Sequence, residues 1–409
     1  MVDQREWDMS HIVVIGAGQA GVALAAKLRS AGHEGAITVI GEEAAPPYQR
    51  PPLSKAYLMG EMAEERLYLR SAEFYESQEI TLRLGQKVSA IDAVAKTVTV
   101  GDDTLLYDYL ALTTGSIPRT LPAAIGGDLG GVYTVRSLAD VDAMRPEFVA
   151  GRRVVIIGGG YIGLEAAAVA AKLGLDVTVV EMASRILQRV AAPETSDHFR
   201  SLHTAHGVKI LEGVGLDRLL GEGRVNGARL TDGRELPADF VIAGVGIVPA
   251  TALAELAGVE IENGIKTDAH GRTSDPFIWS AGDCASFPWQ GGRLRLESVQ
   301  NAIDQAELVA ENMLGAGKKY VPTPWFWSDQ FDCKLQIAGL NTGYNSITTR
   351  GPEGDAVSFW YYKGDQLLAI DAMNDPRAYM VGKRLLEMGR TVDPAAIRNP
   401  ETVLKALLK

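Results

Sequence analysis

A chain of 409 residues is long enough for two or three domains of roughly 100–200 residues, each able to bury a core of its own. With 46% hydrophobic and 22% charged residues it has the balance of a folded globular protein, which excludes disordered and fibrous classes. A net charge of −11 argues against nucleic acid as a partner, because binding phosphate demands an excess of Lys and Arg.

The N-terminal MVDQREWDMS sets acids ahead of the first apolar run and has no signal-peptide core, so a cytoplasmic location is expected. Glycine and charge interrupt every apolar stretch short of about 18 residues, and no membrane span is expected. The two cysteines, Cys284 and Cys333, lie far apart with no CxxC or metal-ligand spacing. They read as buried, inert thiols, and no metal site is expected.

In chain order, the first legible unit is HIVVIGAGQAGVALAAKLRSAG: a β-branched run from Ile12 to Ile15, three glycines, then an Ala/Leu-rich helix. Gly16 permits the tight turn, Gly18 lets the backbone approach a pyrophosphate, and Gly21 lets the helix pack on the sheet. The helix N-terminus offers free N–H groups and partial positive charge to that anion. The next strand, AITVIGEE, ends at Glu42 and Glu43, either of which can accept both hydroxyl protons of an adenosine ribose. Glu42 is preferred, because Gly41 supplies the turn and Glu42 is first in reach.

In YQRPPLSKAYL, Pro51 and Pro52 are expected to start a helix with Lys55 on its first turn. The segment YLALTTGSIPR reads as a buried strand opening at Thr113, Thr114 and Gly115 onto a cofactor, or as an ordinary strand end before a Pro turn. The glycine pattern then recurs in RRVVIIGGGYIGLEAAAVAAKLGLDVTVVEMASRIL, with Gly158, Gly160 and Gly163 in the glycine roles and Glu181 closing the second strand. Two such units imply two dinucleotides, and a hydride donor facing a hydride acceptor suggests a nicotinamide and a flavin. A carboxylate at Glu181 binds a 2′-hydroxyl and repels a 2′-phosphate, which favours NADH, although Arg185 and Arg189 follow closely.

Further along, FIWSAGDCASF ends an apolar strand at Ala281 and presents Gly282 and Asp283, suited to the polar middle of an extended dinucleotide such as FAD. Trp325, Phe326 and Trp327 by themselves read as core aromatics. KLQIAGL and AVSFWYYKGDQLLAIDAM look like strands, the latter a pair joined at Lys363-Gly364-Asp365. A helix around MVGKRLLEMG and a short one in RNPETVLKALLK end the chain.

The combination GAGQAG, YQRPPLSKAYL, TTGSIPR, GGGYIGLEAA, AGVGIVPAT, AGDCA and ESVQNAIDQA followed by PWFWSDQ resembles the putidaredoxin reductase group of ferredoxin reductases, from about residue 10 to about residue 385. The resemblance implies an α/β fold: two Rossmann-like dinucleotide-binding domains, glutathione reductase-like, with a smaller C-terminal α+β domain. It divides the chain into an FAD domain, 1–115 and 246–322, an NAD domain, 116–245, and a C-terminal domain, 323–409. It also implies FAD and NADH as cofactors and a [2Fe–2S] ferredoxin as partner, docking transiently near the flavin edge and serving a cytochrome P450 or a dioxygenase.

Carried over by the resemblance, Lys55 lies beside the flavin and pairs with Glu165. Ala20, Glu42, Arg50, Val88, Arg136, Asp283 and Val299 line the FAD, the two valines through their backbones. Tyr161, Glu165, Glu181 and Gly246 face NADH, with Tyr161 alternatively a plain core aromatic. Trp327 sits near the flavin and the docking face, to which Lys334, Lys409 and Arg295 are candidates to contribute. Disulfide reductases of related type carry a CxxxxC pair where this chain has PYQRPPLSK. An NADH oxidase would need a cysteine beside the flavin, and none precedes Cys284. A rubredoxin acceptor and a flavin-bearing NADH sensor resembling apoptosis-inducing factor are the other readings.

Overall fold

Ile12–Ile15 and Arg153–Ile157 are short β-branched strands buried almost throughout, as strands in the middle of a parallel sheet with both faces covered must be. Each organises one of the two compact units of the computed structural model, which describes residues 9–353 and 355–409. The first unit comprises Met1–Gln49, Ala63–Ile117 and Ile247–Pro322; the second comprises Arg50–Met62, Pro118–Gly246 and Thr323–Lys409. Most of the N-terminal stretch read for a leader, residues 1–8, lies outside the described residues.

In the first unit a five-stranded parallel sheet runs Ile278–Ser280, Tyr109–Leu112, Ile12–Ile15, Ile37–Ile40, Ile80–Arg83. One face packs against the helices Gln19–Ser30 and Val299–Met313 through Leu24, Leu28, Trp279, Val309 and Met313. The other face buries Val13, Ile15, Leu110 and Leu112 with Val98 and Val100 of a three-stranded antiparallel sheet, Val88–Asp92, Thr97–Val100 and Asp103–Leu106. The buried strand read in YLALTTGSIPR is Tyr109–Leu112, ending just before Thr113.

In the second unit the parallel sheet runs Lys209–Glu212, Asp176–Glu181, Arg153–Ile157, Phe240–Ala243, Val132–Tyr133, with the helix Tyr161–Lys172 following the central strand. The C-terminal segment forms a five-stranded antiparallel sheet in the order Trp325–Gln330, Cys333–Gly339, Gln366–Met373, Ala356–Lys363, Ser346–Glu353. Lys363 pairs with Gln366 across a two-residue turn in which Gly364 takes φ +57°, a value glycine adopts without penalty. The helices Pro376–Glu387 and Pro394–Arg398 follow, and the last short helix is a 3₁₀ turn, Leu404–Leu408. The protein is thus of the α/β class, with parallel sheets and a C-terminal antiparallel one.

Lys55 departs from expectation. Pro51 and Pro52 start only a 3₁₀ turn, Pro51–Ser54, and Lys55 is the residue that closes it, at φ −135°, rather than part of a helix's first turn. Lys55, at φ −135° and ψ −116°, leaves the helical region, so the turn stops there and does not propagate as an α-helix.

Among the described residues no helix is long and apolar enough to cross a membrane, and no group of three or more His, Cys, Asp or Glu could hold a metal ion. Both cysteines are free and buried, and burial pushes the Cys333 thiol up to about 12.

Two glycine turns and a buried lysine–glutamate pair

The first turn follows from its contacts. Gly16 sits at φ +114°, and a Cβ there would stand 2.2 Å from the Thr113 carbonyl oxygen, so only glycine fits. A Cβ on Gly21 would meet the Gly16 oxygen at 2.0 Å; its absence lets the helix close onto the strand. At Gly18 no protein atom lies within 4 Å of a Cβ, and the backbone is extended at φ −93°. The protein itself therefore does not require glycine at position 18, and the space before this helix N-terminus is open to an anion. The Thr113 hydroxyl braces the turn, donating to the Ile15 and Gly16 carbonyls at 3.1 and 3.0 Å.

Within the same unit a second helix N-terminus reaches this place. A Cβ on Gly282 would lie 3.0 Å from Cβ of Ala20 and 3.9 Å from Cβ of Ala302. Ala20 is on the first turn of Gln19–Ser30 and Ala302 on the first turn of Val299–Met313, which Ser298 caps by accepting from Asn301 N–H. Two helix N-termini thus converge on Gly282 and Asp283, giving paired positive dipole ends suited to a pyrophosphate. Asp283 is positioned by the Ser116 hydroxyl, which donates to it at 3.0 Å, and Gly282 N–H donates to Gln305 at 2.9 Å.

Other first-unit positions take simpler roles. Glu42 is exposed and pairs with Lys87 at 2.9 Å, while Glu43 accepts from the Tyr48 hydroxyl. Val88 is buried at the start of its strand and Val299 is the first residue of its helix. The Thr114 hydroxyl donates to the Ala250 carbonyl at 2.7 Å, and the Gly115 carbonyl accepts from Ala250 N–H at 2.9 Å. Arg295, a candidate for the docking surface, is mostly buried: it pairs with Glu297 and donates to the Asp283 carbonyl at 3.0 Å.

The second unit repeats the turn. A Cβ on Gly158 would meet the Gly244 oxygen at 2.3 Å, one on Gly163 the Gly158 oxygen at 2.2 Å, and one on Gly160 no protein atom within 4 Å. Glu181 braces this loop, its Oε2 accepting from Gly159 N–H and its Oε1 from Ala183 N–H, both at 2.7 Å. The register differs from the first unit. Ile15 pairs with Ile40 and Ile157 with Val180, so Gly41 occupies the place of Glu181, and Glu42 stands one residue further on. Gly246, at φ +98°, has Arg119 and Arg189 near it, while Arg185 is drawn away to the Ser196 hydroxyl at 2.6 Å.

The second unit also holds the charged pair. Lys55 Nζ lies 3.1 Å from Glu165 Oε1, with Asp329 at 3.7 Å on its more exposed side. Glu165, only 6% exposed, accepts from Ser54 Oγ at 2.8 Å and Ser328 Oγ at 2.7 Å. Burial pushes its carboxyl up from the ordinary value, against the pull of Lys55 and the two serine hydroxyls. Tyr161, the first residue of the Tyr161–Lys172 helix, packs its ring on Phe326 with centroids 4.7 Å apart. Its hydroxyl is buried and accepts or donates no hydrogen bond among the described residues, and burial raises it well above its ordinary value. Arg50 donates to the Arg136 carbonyl at 2.7 Å. Trp327 is half-buried, 5.6 Å between centroids from Trp325.

Sequence reading missed the two serines that hold Glu165. Ser328 could have been found from strand alternation in WFWSDQ, where Ser328 and Gln330 share one face; nothing local marked Ser54.

Two dinucleotide turns, each with a middle glycine open to a ligand, define an oxidoreductase that carries a flavin and a pyridine nucleotide on one chain. Residues 10–306 match the family described as pyridine nucleotide-disulphide oxidoreductase, and residues 325–408 match the reductase C-terminal family. Rhodocoxin reductase of Rhodococcus erythropolis is 42% identical over 94% of this chain and 92% of its own. Putidaredoxin reductase of Pseudomonas putida is 40% identical over 97% of this chain and 96% of its own. The fold matches the crystal structure of a covalent putidaredoxin reductase–putidaredoxin complex with a TM-score of 0.94 at 39% identity, covering 98% of both chains. The chain belongs to the pyridine nucleotide-disulphide oxidoreductase family, within its putidaredoxin reductase-like ferredoxin reductases.

Proposed function

We propose that the protein is an FAD-dependent NADH:ferredoxin oxidoreductase whose acceptor is a [2Fe–2S] ferredoxin serving a cytochrome P450 or a dioxygenase. The observation that carries this reading is the duplicated glycine turn, with Gly18 and Gly160 each leaving the space at a helix N-terminus free of protein atoms for a phosphate. Relatives named for their ferredoxins, rhodocoxin reductase and putidaredoxin reductase, support the acceptor. When bound, FAD accepts two electrons together from NADH and releases them singly.

The chain's own residues bind, aim and bias. In 1–115 and 246–322, the FAD part, the helix N-termini at Gln19 and Val299 hold the pyrophosphate, Glu42 takes the ribose, and Asp283 meets the polar middle of the cofactor. In 116–245, the NADH part, Gly160 admits the second pyrophosphate, and Glu181 keeps lone pairs for the adenosine ribose hydroxyls while excluding a 2′-phosphate. Residues 323–409 contribute Ser328 and Trp327. Lys55, aimed by Glu165, presents a fixed ammonium that favours the extra negative charge of a reduced flavin. The reading places the protein in the cytoplasm.

NADH-driven reduction of a purified [2Fe–2S] ferredoxin, followed in the visible spectrum, tests this. The expected result is turnover with NADH well above that with NADPH; reduction of dioxygen alone, with the ferredoxin left oxidised, would favour the oxidase reading instead.

A further inference from the structure

Glu165 does not meet Lys55 as an isolated ion. From its Oε1 a continuous hydrogen-bond chain runs through the second unit: Ser328 Oγ at 2.7 Å, Gln330 Nε2 to Ser328 Oγ at 3.1 Å, and Gln330 Oε1 to His203 Nε2 at 2.7 Å. All four side chains are buried, Ser328, Gln330 and His203 to within 1%. Ser328 and Gln330 share a face of Trp325–Gln330 because side chains alternate along a strand, and Asp329 between them reaches the outer side of Lys55.

The chain has a direction. His203 Nδ1 is buried and makes no hydrogen bond among the described residues, so a proton there would be an unmet donor. The single imidazole proton therefore sits on Nε2 and is donated to Gln330 Oε1. Burial holds His203 down to about 4, so it stays neutral across the working range. With its oxygen taken, Gln330 must turn its NH₂ to Ser328 Oγ, and the serine's only hydroxyl proton is left for Glu165. Each link removes the alternative open to the next.

We propose that Ser328 and Gln330 are positioning residues for reduction of the flavin, holding Glu165 as the carboxylate that aims Lys55, with His203 as the anchor of the chain. This deepens the function proposed above and rests on the Lys55–Glu165 pair having its role there. The groups that bear on Glu165 are Lys55, with Asp329 behind it, and the buried Tyr161, which itself faces Asp371 and Tyr361. Among the hydroxyl donors to Glu165, Ser328 alone has its direction set by a further donor of the chain. Without it the carboxyl would hold its proton to higher pH, weakening the anionic partner that aims Lys55 and leaving the more exposed Asp329 as its other counter-charge.

The test uses full-length, FAD-loaded protein and measures NADH reduction of bound flavin by stopped flow between about pH 5.5 and 9. Ser328→Ala is expected to be slowed on the order of tenfold near neutrality, the loss of one hydrogen bond to a charged group. The slowing should fade at high pH, with the profile displaced upward. Gln330→Leu should do the same to a smaller extent. A slowing equal at every pH, or flavin loss in both variants, would overturn the proposal and mark a merely structural role. If Glu165→Gln is slow but Ser328→Ala keeps the parent rate and profile, this inference alone fails. If Glu165→Gln itself reduces at the parent rate, the reading beneath it fails.

Discussion

Glu181 commits one carboxylate oxygen to Gly159 N–H and the other to Ala183 N–H, yet each oxygen keeps a second lone pair for a ribose hydroxyl. Replacing it with arginine exchanges an acceptor for a cation. Glu181→Arg is expected to raise the KM for NADH at least about tenfold and to lower that for NADPH, read from initial rates with both nucleotides. An unchanged preference would remove Glu181 from the ribose site. The paired glycines Gly16 and Gly18 offer a second residue-scale contrast. Gly18→Ala meets no protein atom and keeps an allowed backbone, so thermal melting of the cofactor-free protein should shift by less than about 0.5 kcal/mol while FAD affinity falls. Gly16→Ala collides with the Thr113 carbonyl at positive φ and should destabilise the cofactor-free protein itself. Equal stability losses in both variants would mean that Gly18 serves packing and not a ligand. The turn at Gly16 was legible in the sequence because its physics is local: a strand end, a tight turn and a helix start within six positions.

At the scale of elements, sequence reading found strands and helices and missed what ties them. The parallel strands announced themselves as short β-branched runs, and the hairpin at Gly364 as turn chemistry between two such runs. The 3₁₀ turn at Pro51–Ser54 was read as a helix because proline at a first turn signals a start without saying how far it propagates. No local pattern marks the convergence of two helix N-termini on Gly282, since Ala20 and Ala302 lie far apart in the chain; only the family resemblance set Ala20, Asp283 and Val299 around one cofactor.

A buried acid joins elements of the second unit in the same hidden way. Asp371, on the strand Gln366–Met373, accepts from Thr195 Oγ1 at 2.7 Å and from the Tyr361 hydroxyl, and burial pushes it up to about 6 against those two donors. Because the folded chain holds this proton more tightly than the unfolded chain, its contribution to stability is fullest below about pH 4 and is lost as pH rises to about 6. Above that the buried charge costs on the order of 3 kcal/mol. Asp371→Asn cannot ionise. Its melting temperature relative to the parent protein is expected to rise between about pH 4.5 and 7.5, and a constant difference across that range would show that Asp371 does not titrate there.

For the whole molecule, the acidic balance of −11 and the duplicated nucleotide motif frame a protein that handles small cofactors and a protein redox partner rather than nucleic acid. The family resemblance carried the partner; the residues themselves carried the two dinucleotides. Which basic side chains meet the ferredoxin was not legible, because a docking surface is assembled from exposed residues with no local pattern, as Arg295 shows by turning inward to Asp283 and Glu297. Anaerobic rapid mixing of the purified protein with NADH and then with oxidised ferredoxin tests whether two dinucleotides on one chain pass electrons to a one-electron carrier. The flavin band should bleach within milliseconds and return as the ferredoxin is reduced. A colourless protein, a flavin indifferent to NADH, or a long-lived charge-transfer complex that ferredoxin fails to reoxidise would contradict it.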